Sequence, residues 1–488
     1  MNKKYILLYS AAAVAVVGGL VSFFALRGIM SDAYVRTIPY DATAIARLDA
    51  RSFLHDADLS LKDVIRLLRQ NQEGDDEQKI GIDMQRPIYA FTSPSGNIGV
   101  TAAVSDDDDL EAFCTSSQRE GHASEITKQR GYSWVVLEQQ WLLAFDSKKA
   151  LMMGPAVGTG QDQLRVEMMR LLEQKSKDSG MESSLYAALN RDDEPLAAVV
   201  APEILPSVAR KELQRLKVGS KADALLRLTL ETDDNELELE AEVLAESEDV
   251  KAELKRLNDL LRPVKGSLTD YAHAENVAWL AVNVEGTTLL DALRSNNSVR
   301  MGLLALNFAF DLDRIIRAVD GDVALELTNV SSLLSSIGLD TPPGGFYVTA
   351  QVENTDFLDD ASAWGNNLFG VQALSQQDFA LNLGVTSYYF GVQDKTFYLG
   401  ATQGLAQEKN EFLSRERSDI RGNRLYATFA IPSLLNQLGS RTSLPPVLSR
   451  FERLNIEMEH AGEFKLKLVA PRGTNIAREL IHFRTQRH

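Results

Sequence analysis

The feature that most restricts the fold of this chain is a strand-to-helix segment, residues 38–68, whose pattern returns later in the sequence. Pro39 and Asp41 predict a turn, which is followed by a short apolar strand at residues 44–49. Ser60 and Asp63 then have the spacing of a capping box, which predicts the start of an amphipathic helix. The rest of the chain repeats this order of strand and helix.

Six landmarks of the first half recur in the same order in the second half. The clearest pair is residues 100–104 and 348–352, which read VTAAV and VTAQV and precede acidic residues that suit a helix start. Additional residues around 156–177 in one half and around 296–310 in the other account for the changes in spacing. We therefore interpret the chain as two tandemly duplicated domains, residues 33–262 and 263–488, preceded by residues 1–32.

The strands of each half come largely as hairpins, which favours antiparallel pairing. Each domain is therefore predicted to be α+β, a largely antiparallel sheet with helices on one face. In the hairpin that ends the first half, Leu226, Leu228 and Leu230 are predicted to face the core. The alternate residues are predicted to face water, with Arg227 paired across the loop with Glu240.

Residues 5–26 contain no charged side chain. A helix of this length covers the hydrocarbon core of a bilayer, which is about 30 Å thick. Two lysines precede the segment and one arginine follows it closely, which predicts a cytoplasmic N-terminus. The alternative is a cleaved signal peptide. Residues 1–32 are predicted to be a cytoplasmic stub and an uncleaved transmembrane helix, so the membrane is an expected partner. The rest of this single-pass protein would then lie outside the cytoplasm, in the periplasm.

Composition excludes several classes of function. The net charge of −17 argues against nucleic-acid binding. Cys114 is the only cysteine, so no disulfide framework or thiolate metal cluster is expected. The histidines lack metal-ligand spacing, and no nucleophile motif is present. We therefore predict no cofactor, no metal and no catalytic residue. Carboxylates gathered from separate strands leave no sequence pattern, so a hydrolase remains an alternative.

One apolar segment, residues 301–310, is present in the second half alone and carries no charge. Leaving so many apolar side chains in water would be unfavourable. We expect the segment to be helical and to cover either the contact between the two domains or the surface of a partner protein. The side chains expected to make this contact are Met301, Leu303, Leu304, Leu306, Phe308 and Phe310.

The apolar N-terminal segment, the motif Ile38-Pro39-x-Asp41-Ala42 and the strand-helix repeats together resemble envelope proteins of the Bacteroides type that share a domain of unknown function. The resemblance implies a cell-envelope location and supplies no catalytic residues. The leading hypothesis is a non-catalytic, membrane-anchored binding or scaffold module with an envelope protein as partner. The alternative is an envelope hydrolase acting on glycan or peptide. A hydrolase should have a deep cleft lined by acids or histidine, whereas a scaffold should have a flat or grooved apolar surface.

Overall fold

The computed structural model describes twelve stretches of the chain, and every structural statement below concerns these stretches. They are residues 33–52, 80–191, 194–233, 235–295, 300–301, 303–304, 307, 310–329, 345–364, 370–383, 386–438 and 446–476. The chain divides into two compact units, the first made of Met1–Val250 with Arg472–His488 and the second of Lys251–Pro471. Each unit is built on antiparallel strands.

The first unit has ten strands in its described part. They are β1 (Ala44–Leu48), β2 (Ile88–Thr92), β3 (Ile98–Ala103), β4 (Thr127–Gln129), β5 (Tyr132–Leu137), β6 (Trp141–Phe145), β7 (Lys149–Gly154), β8 (Leu196–Val200), β9 (Ala224–Asp233) and β10 (Glu236–Ala245). Their spatial order is β10-β9-β8-β1-β2-β3-β7-β6-β5-β4, with each neighbouring pair antiparallel. The α-helices are α1 (Asp107–Arg119), α2 (Thr159–Glu173), α3 (Ser184–Leu189) and α4 (Ser207–Arg215).

Helices cover both faces of this part of the sheet. Trp134 and Leu142 belong to a core that includes α2 and α3, whereas the neighbouring Val135 and Leu143 belong to a second core that includes α1. Because successive strand residues point to opposite faces, strands that are apolar at every position need cover on both sides. The prediction of helices on one face is therefore wrong for this unit.

Helix α1 contains the single cysteine and begins at the acidic run, residues 106–109. The Asp106 carboxylate accepts hydrogen bonds from the backbone N–H groups of Asp108 and Asp109, both at 3.1 Å. This is an N-cap, and the acids of the first turn suit the positive end of the helix dipole. One face of the helix buries Leu110 and Cys114 in the core. Burial raises the pKa of the Cys114 thiol to about 12.

The second unit also has ten strands in its described part. They are β11 (Ala278–Glu285), β12 (Val319–Leu327), β13 (Phe346–Val352), β14 (Gly370–Ala373), β15 (Asp378–Leu383), β16 (Thr386–Gln393), β17 (Thr396–Gly400), β18 (Leu425–Ala430), β19 (Arg453–Met458) and β20 (Glu463–Val469). Their order is β20-β19-β18-β11-β12-β13-β17-β16-β15-β14. The helices are α5 (Glu248–Leu260, which lies in this unit from Lys251 onward), α6 (Gly286–Ser295), α7 (Leu312–Ala318), α8 (Glu411–Arg415), α9 (Arg417–Ile420) and α10 (Ile431–Leu438).

A buried carboxylate fixes the chain that precedes β11 to this sheet. Asp322 on β12 accepts hydrogen bonds from the backbone N–H groups of Lys265 at 2.8 Å and Ser267 at 3.1 Å. Its oxygens also accept from the Ser267 hydroxyl at 2.9 Å and from the Asn283 amide at 2.8 Å. Four donors satisfy a charge that would otherwise be unfavourable in the core.

The β9–β10 hairpin differs from its predicted arrangement. Arg227 and Thr229 are buried, whereas Leu226, Leu228 and Leu230 are only half-buried. The alternation was recognised correctly, but alternation alone does not say which face other elements cover. The register is also shifted, because the strands pair up to Asp233 and Glu236 and leave only two residues for the turn.

This register pairs Arg227 with Glu242, with 3.9 Å between the guanidinium and carboxylate groups. The predicted pairing with Glu240 is therefore wrong. Shortening the loop by two residues moves every cross-strand partner by two positions while keeping the same face.

The predicted fold class needs two corrections. Residues 5–26 lie outside the described residues, and none of the described helices combines the length and apolar character needed to cross a bilayer. The predicted transmembrane helix, the single-pass topology and the membrane as a partner of that helix are therefore not borne out by the described residues. The prediction of two tandemly duplicated domains is also wrong. The boundary between residues 262 and 263 stays a prediction.

Candidate binding site

The predicted contact segment is partly exposed. Met301, Leu303 and Leu304 have helical backbone; Met301 and Leu304 are 63% and 56% exposed, whereas Leu303 is buried. Phe310 is half-buried and packs edge-on against Trp364, with 6.2 Å between the ring centroids. The remaining two predicted residues, Leu306 and Phe308, lie outside the described residues. A contact with a partner or between domains stays a prediction for this segment.

A histidine and a glutamate meet on the second unit. The Glu326 carboxylate on β12 accepts a hydrogen bond from the His273 backbone N–H at 2.8 Å and lies 3.0 Å from the Nδ1 atom of the same residue. The His273 ring also lies against Tyr347, with 3.9 Å between centroids. Burial raises the pKa of Glu326, and the contacts with His273 oppose that rise. Both carboxylate oxygens are committed to His273, so the pair fixes a loop to the sheet.

An open apolar depression in the described part of the second unit lies between α5 and α6. It encloses about 320 Å³. The lining residues are Ala252, Lys255, Arg256, Asp259 and Leu260 on α5 and Thr288 and Ala292 on α6. On each helix they recur every three or four positions and so share one face. Small side chains at facing positions leave the space open, and we call this depression the α5–α6 groove.

Two arginines fix the C-terminal end of α5. The Arg262 guanidinium donates a hydrogen bond to the Asn283 side chain on β11 at 3.0 Å. Arg424 donates to the backbone carbonyls of Asn258, at 2.7 Å, and Leu261. These carbonyls have no partner within the helix, and positive charge suits the negative end of the helix dipole. One wall of the groove is therefore held to the sheet.

Glu285, the last residue of β11, fixes the start of α6. Its carboxylate accepts hydrogen bonds from the backbone N–H groups of Thr287 at 3.1 Å and Thr288 at 2.8 Å, and from both threonine hydroxyls. These hydrogen bonds lower the pKa of Glu285 to about 2. The second wall of the groove, α6, thus begins at a capped helix N-terminus.

Charges lie along the edge of the α5–α6 groove. The Arg256 guanidinium is held by Glu253, with 2.7 Å between Nη2 and Oε1. Lys255 and Asp259 have no hydrogen-bond or ion-pair partner in the ranges that the structure describes. The groove therefore offers an apolar floor with one available cation and one available anion at its edge. It contains no nucleophile next to a base, and the described residues hold no group of three metal-ligating side chains.

The sequence alone does not indicate this groove. Its residues are ordinary helix formers, and small residues four apart, such as Thr288 and Ala292, occur on many helices. The proximity of two helices separated by 25 residues of chain is a tertiary property. Nothing in the sequence of α5 marks its exposed face as a binding surface.

Comparison with known proteins places the chain in a family. Residues 34–414 match a family described as a domain of unknown function, DUF4836. The chain belongs to the DUF4836 family. The match spans most of the chain and includes both walls of the groove, and it confirms the predicted membership of a family of unknown function. No curated protein sequence matches this DUF4836 chain.

Two solved structures are similar to parts of the DUF4836 chain. The structure of crystal form IV of TP0453 has 12% sequence identity and a TM-score of 0.27, covering 43% of this chain and 83% of that chain. Crystal form III of TP0453 has 9% identity and a TM-score of 0.28, covering 48% of this chain and 90% of that chain. Similarity at this level carries no argument about fold or function.

Proposed function

We propose that this DUF4836 chain is a non-catalytic binding module of the cell envelope and that the α5–α6 groove is its binding surface. The observation that carries the proposal is an apolar groove with Lys255 and Asp259 available at its edge. The resemblance of the motif Ile38-Pro39-x-Asp41-Ala42 to envelope proteins of the Bacteroides type supports the location.

The chemistry of the α5–α6 groove suits a small apolar group with a charged end. Its volume of about 320 Å³ is at the low end of the range for ligand sites, roughly 300–1,000 Å³. Each methylene group removed from water contributes about 0.8 kcal/mol, so a short aliphatic or aromatic group gains useful affinity from the floor. Lys255 would favour an anionic end near one side of the groove, and Asp259 would oppose it one helical turn away.

Binding fits the described residues better than hydrolysis. Of the histidine–carboxylate pairs in the described residues, Glu326 with His273 has both carboxylate oxygens used by that one residue, and His122 with Glu138, at 2.7 Å, is exposed to solvent. A general base needs a free lone pair within reach of substrate. The α5–α6 groove, by contrast, lacks a histidine and exposes apolar surface.

An anionic fluorescent probe tests the proposal. Anilinonaphthalene sulfonate should bind the folded wild-type chain with increased emission, because its rings fit the floor and its sulfonate suits Lys255. Ala252→Phe should abolish the increase by filling the groove. Lys255→Gln should weaken binding about two- to fivefold, and Asp259→Asn should strengthen it by a similar factor, as expected for exposed charges.

Ala112→Phe provides the matched control, since Ala112 is an exposed alanine on α1 and does not line the groove. It should leave probe binding unchanged. Circular dichroism of each variant shows that the chain is folded. Probe emission that is absent in the wild type, or that survives Ala252→Phe, would overturn the proposed binding surface.

A further inference from the structure

Helix α4 of the first unit is unusual because it buries none of its residues. It spans Ser207–Arg215, and Val208 is 73% exposed. Ile204, in the 3-10 turn that precedes it, is 43% exposed. Amphipathic helices on globular proteins normally bury one face in the core. The half-buried residues Leu213 and Leu216 leave part of their aliphatic surface in water.

The chain on each side of α4 is firmly attached. Before the helix, Pro202 is buried and the Glu203 side chain accepts a hydrogen bond from the Lys221 backbone N–H at 2.9 Å. After it, Val218 is buried and its N–H donates to the Leu213 carbonyl at 3.0 Å. The turn between them places Lys217 at a φ of 60°, in the left-handed region that ends many helices. The helix is therefore held at both ends while its body stays exposed.

The charge of this segment is opposite to that of the chain. Residues 207–217 contain four basic residues and one acidic residue, within a protein whose net charge is −17. Arg215 forms an ion pair with Glu212, with 2.5 Å between Nη1 and Oε2. Arg210, Lys211 and Lys217 are exposed and have no ion-pair partner in the described part of the chain. An anionic surface is thus the complementary partner.

We propose that α4 makes a peripheral contact with an anionic lipid surface. Exposed aliphatic residues beside unpaired cations are the arrangement with which interfacial helices bind membranes, since the cations attract anionic headgroups while the aliphatic groups enter the acyl boundary. A soluble acidic partner would use the cations and leave Val208 and Ile204 in water. The combination therefore favours lipid over a polyanion, and the contact is separate from the α5–α6 groove.

Vesicle co-sedimentation of the full chain tests this contact. The wild type should bind vesicles of phosphatidylcholine mixed with phosphatidylglycerol more tightly than vesicles of phosphatidylcholine alone, and added salt should weaken that preference. Arg210→Gln with Lys211→Gln should reduce binding to the anionic vesicles roughly 30-fold, which corresponds to about fivefold for each cation lost near such a surface. Val208→Asp should reduce it about tenfold.

Matched substitutions elsewhere in the first unit control for charge and exposure. Lys175→Gln with Lys177→Gln removes two other exposed cations, and Val166→Asp changes a valine that is also 73% exposed. Both should bind anionic vesicles as the wild type does. Any vesicle binding by other segments is common to every variant, because all are compared in the full chain.

Three results would overturn the proposal. One is equal binding of the wild type to anionic and neutral vesicles, and another is equal losses in the α4 and control variants. The third is retention on immobilised polyglutamate without a preference for anionic vesicles, which would assign α4 to an acidic partner. Val208→Asp removes no buried side chain, so its circular dichroism should be normal. A normal spectrum shows that any loss of binding is not caused by unfolding.

Discussion

Loss of the Asp322 carboxylate should strongly destabilise the second unit. Its carboxylate satisfies two backbone N–H groups, a hydroxyl and an amide inside the second unit. Asp322→Ala leaves these donors buried without an acceptor, so we expect a loss of about 3 kcal/mol or more in the free energy of unfolding, measured by urea denaturation. Asp322→Asn keeps one acceptor oxygen and should lose less. Equal losses in the two variants would contradict this account.

Glu231 should make stability depend on pH near neutrality. A hydrogen bond with Glu194, partial burial, and repulsion from Glu194, Glu238 and Glu240 raise the pKa of Glu231 to about 7. Between about pH 4.5 and pH 7 the folded chain therefore holds a proton that the unfolded chain has released. The stabilising contribution of the protonated group is full below about pH 4.5 and is lost as the pH rises through 7.

Glu231→Gln should remove this pH dependence. Urea denaturation at several pH values should show the wild type losing stability between about pH 4.5 and pH 7, relative to a flatter curve for the variant. Above pH 7 the variant should be the more stable protein. Glu236→Gln removes an exposed charge from the same hairpin and serves as the control. Parallel curves for wild type and Glu231→Gln would disprove the assignment.

At the scale of elements, α6 depends on the acid that precedes it. Glu285→Ala removes the acceptor for two backbone N–H groups and two hydroxyls, so we expect the unfolding free energy to fall by about 1 kcal/mol, the usual cost of losing a cap. The pKa of Glu285 is lowered to about 2, so the wild-type contribution is present above about pH 4.5 and is lost as the pH falls toward 2.

The control for this cap is Glu275→Ala, since Glu275 is exposed and has no partner in the described ranges. It should leave both the unfolding free energy and its acid dependence close to wild type. A Glu285→Ala protein as stable as this control at neutral pH would show that α6 does not need the cap.

Element positions were the most predictable part of the fold. The apolar run at residues 100–104 lies mostly in β3, and α1 begins at the acidic residues that follow it, as the sequence indicated. These signals are local, because turn residues and caps act within a few positions. Which side of β9 is buried cannot be predicted from the local sequence. Whether Arg227 or Leu228 faces the core depends on elements far away in the chain, and the sequence pattern is the same in either case.

At the scale of the whole molecule, the family assignment agreed with expectation and the architecture did not. Membership of a family of unknown function was anticipated from a short motif and is confirmed over residues 34–414. The strand order within each unit was not anticipated, because strand pairing across a long chain leaves no mark in the composition of any strand. The α5–α6 groove was missed for the same reason, since it exists only where two helices approach each other.

The buried cysteine of α1 has a practical consequence for chemistry on this protein. A thiol reacts as its thiolate, and Cys114 is both enclosed in the core and held protonated at neutral pH. The native chain should therefore be nearly silent toward maleimides and iodoacetamides without any substitution. A single cysteine introduced at a solvent-facing position would be the one site to react, so a spectroscopic probe can be attached selectively to either surface proposed above.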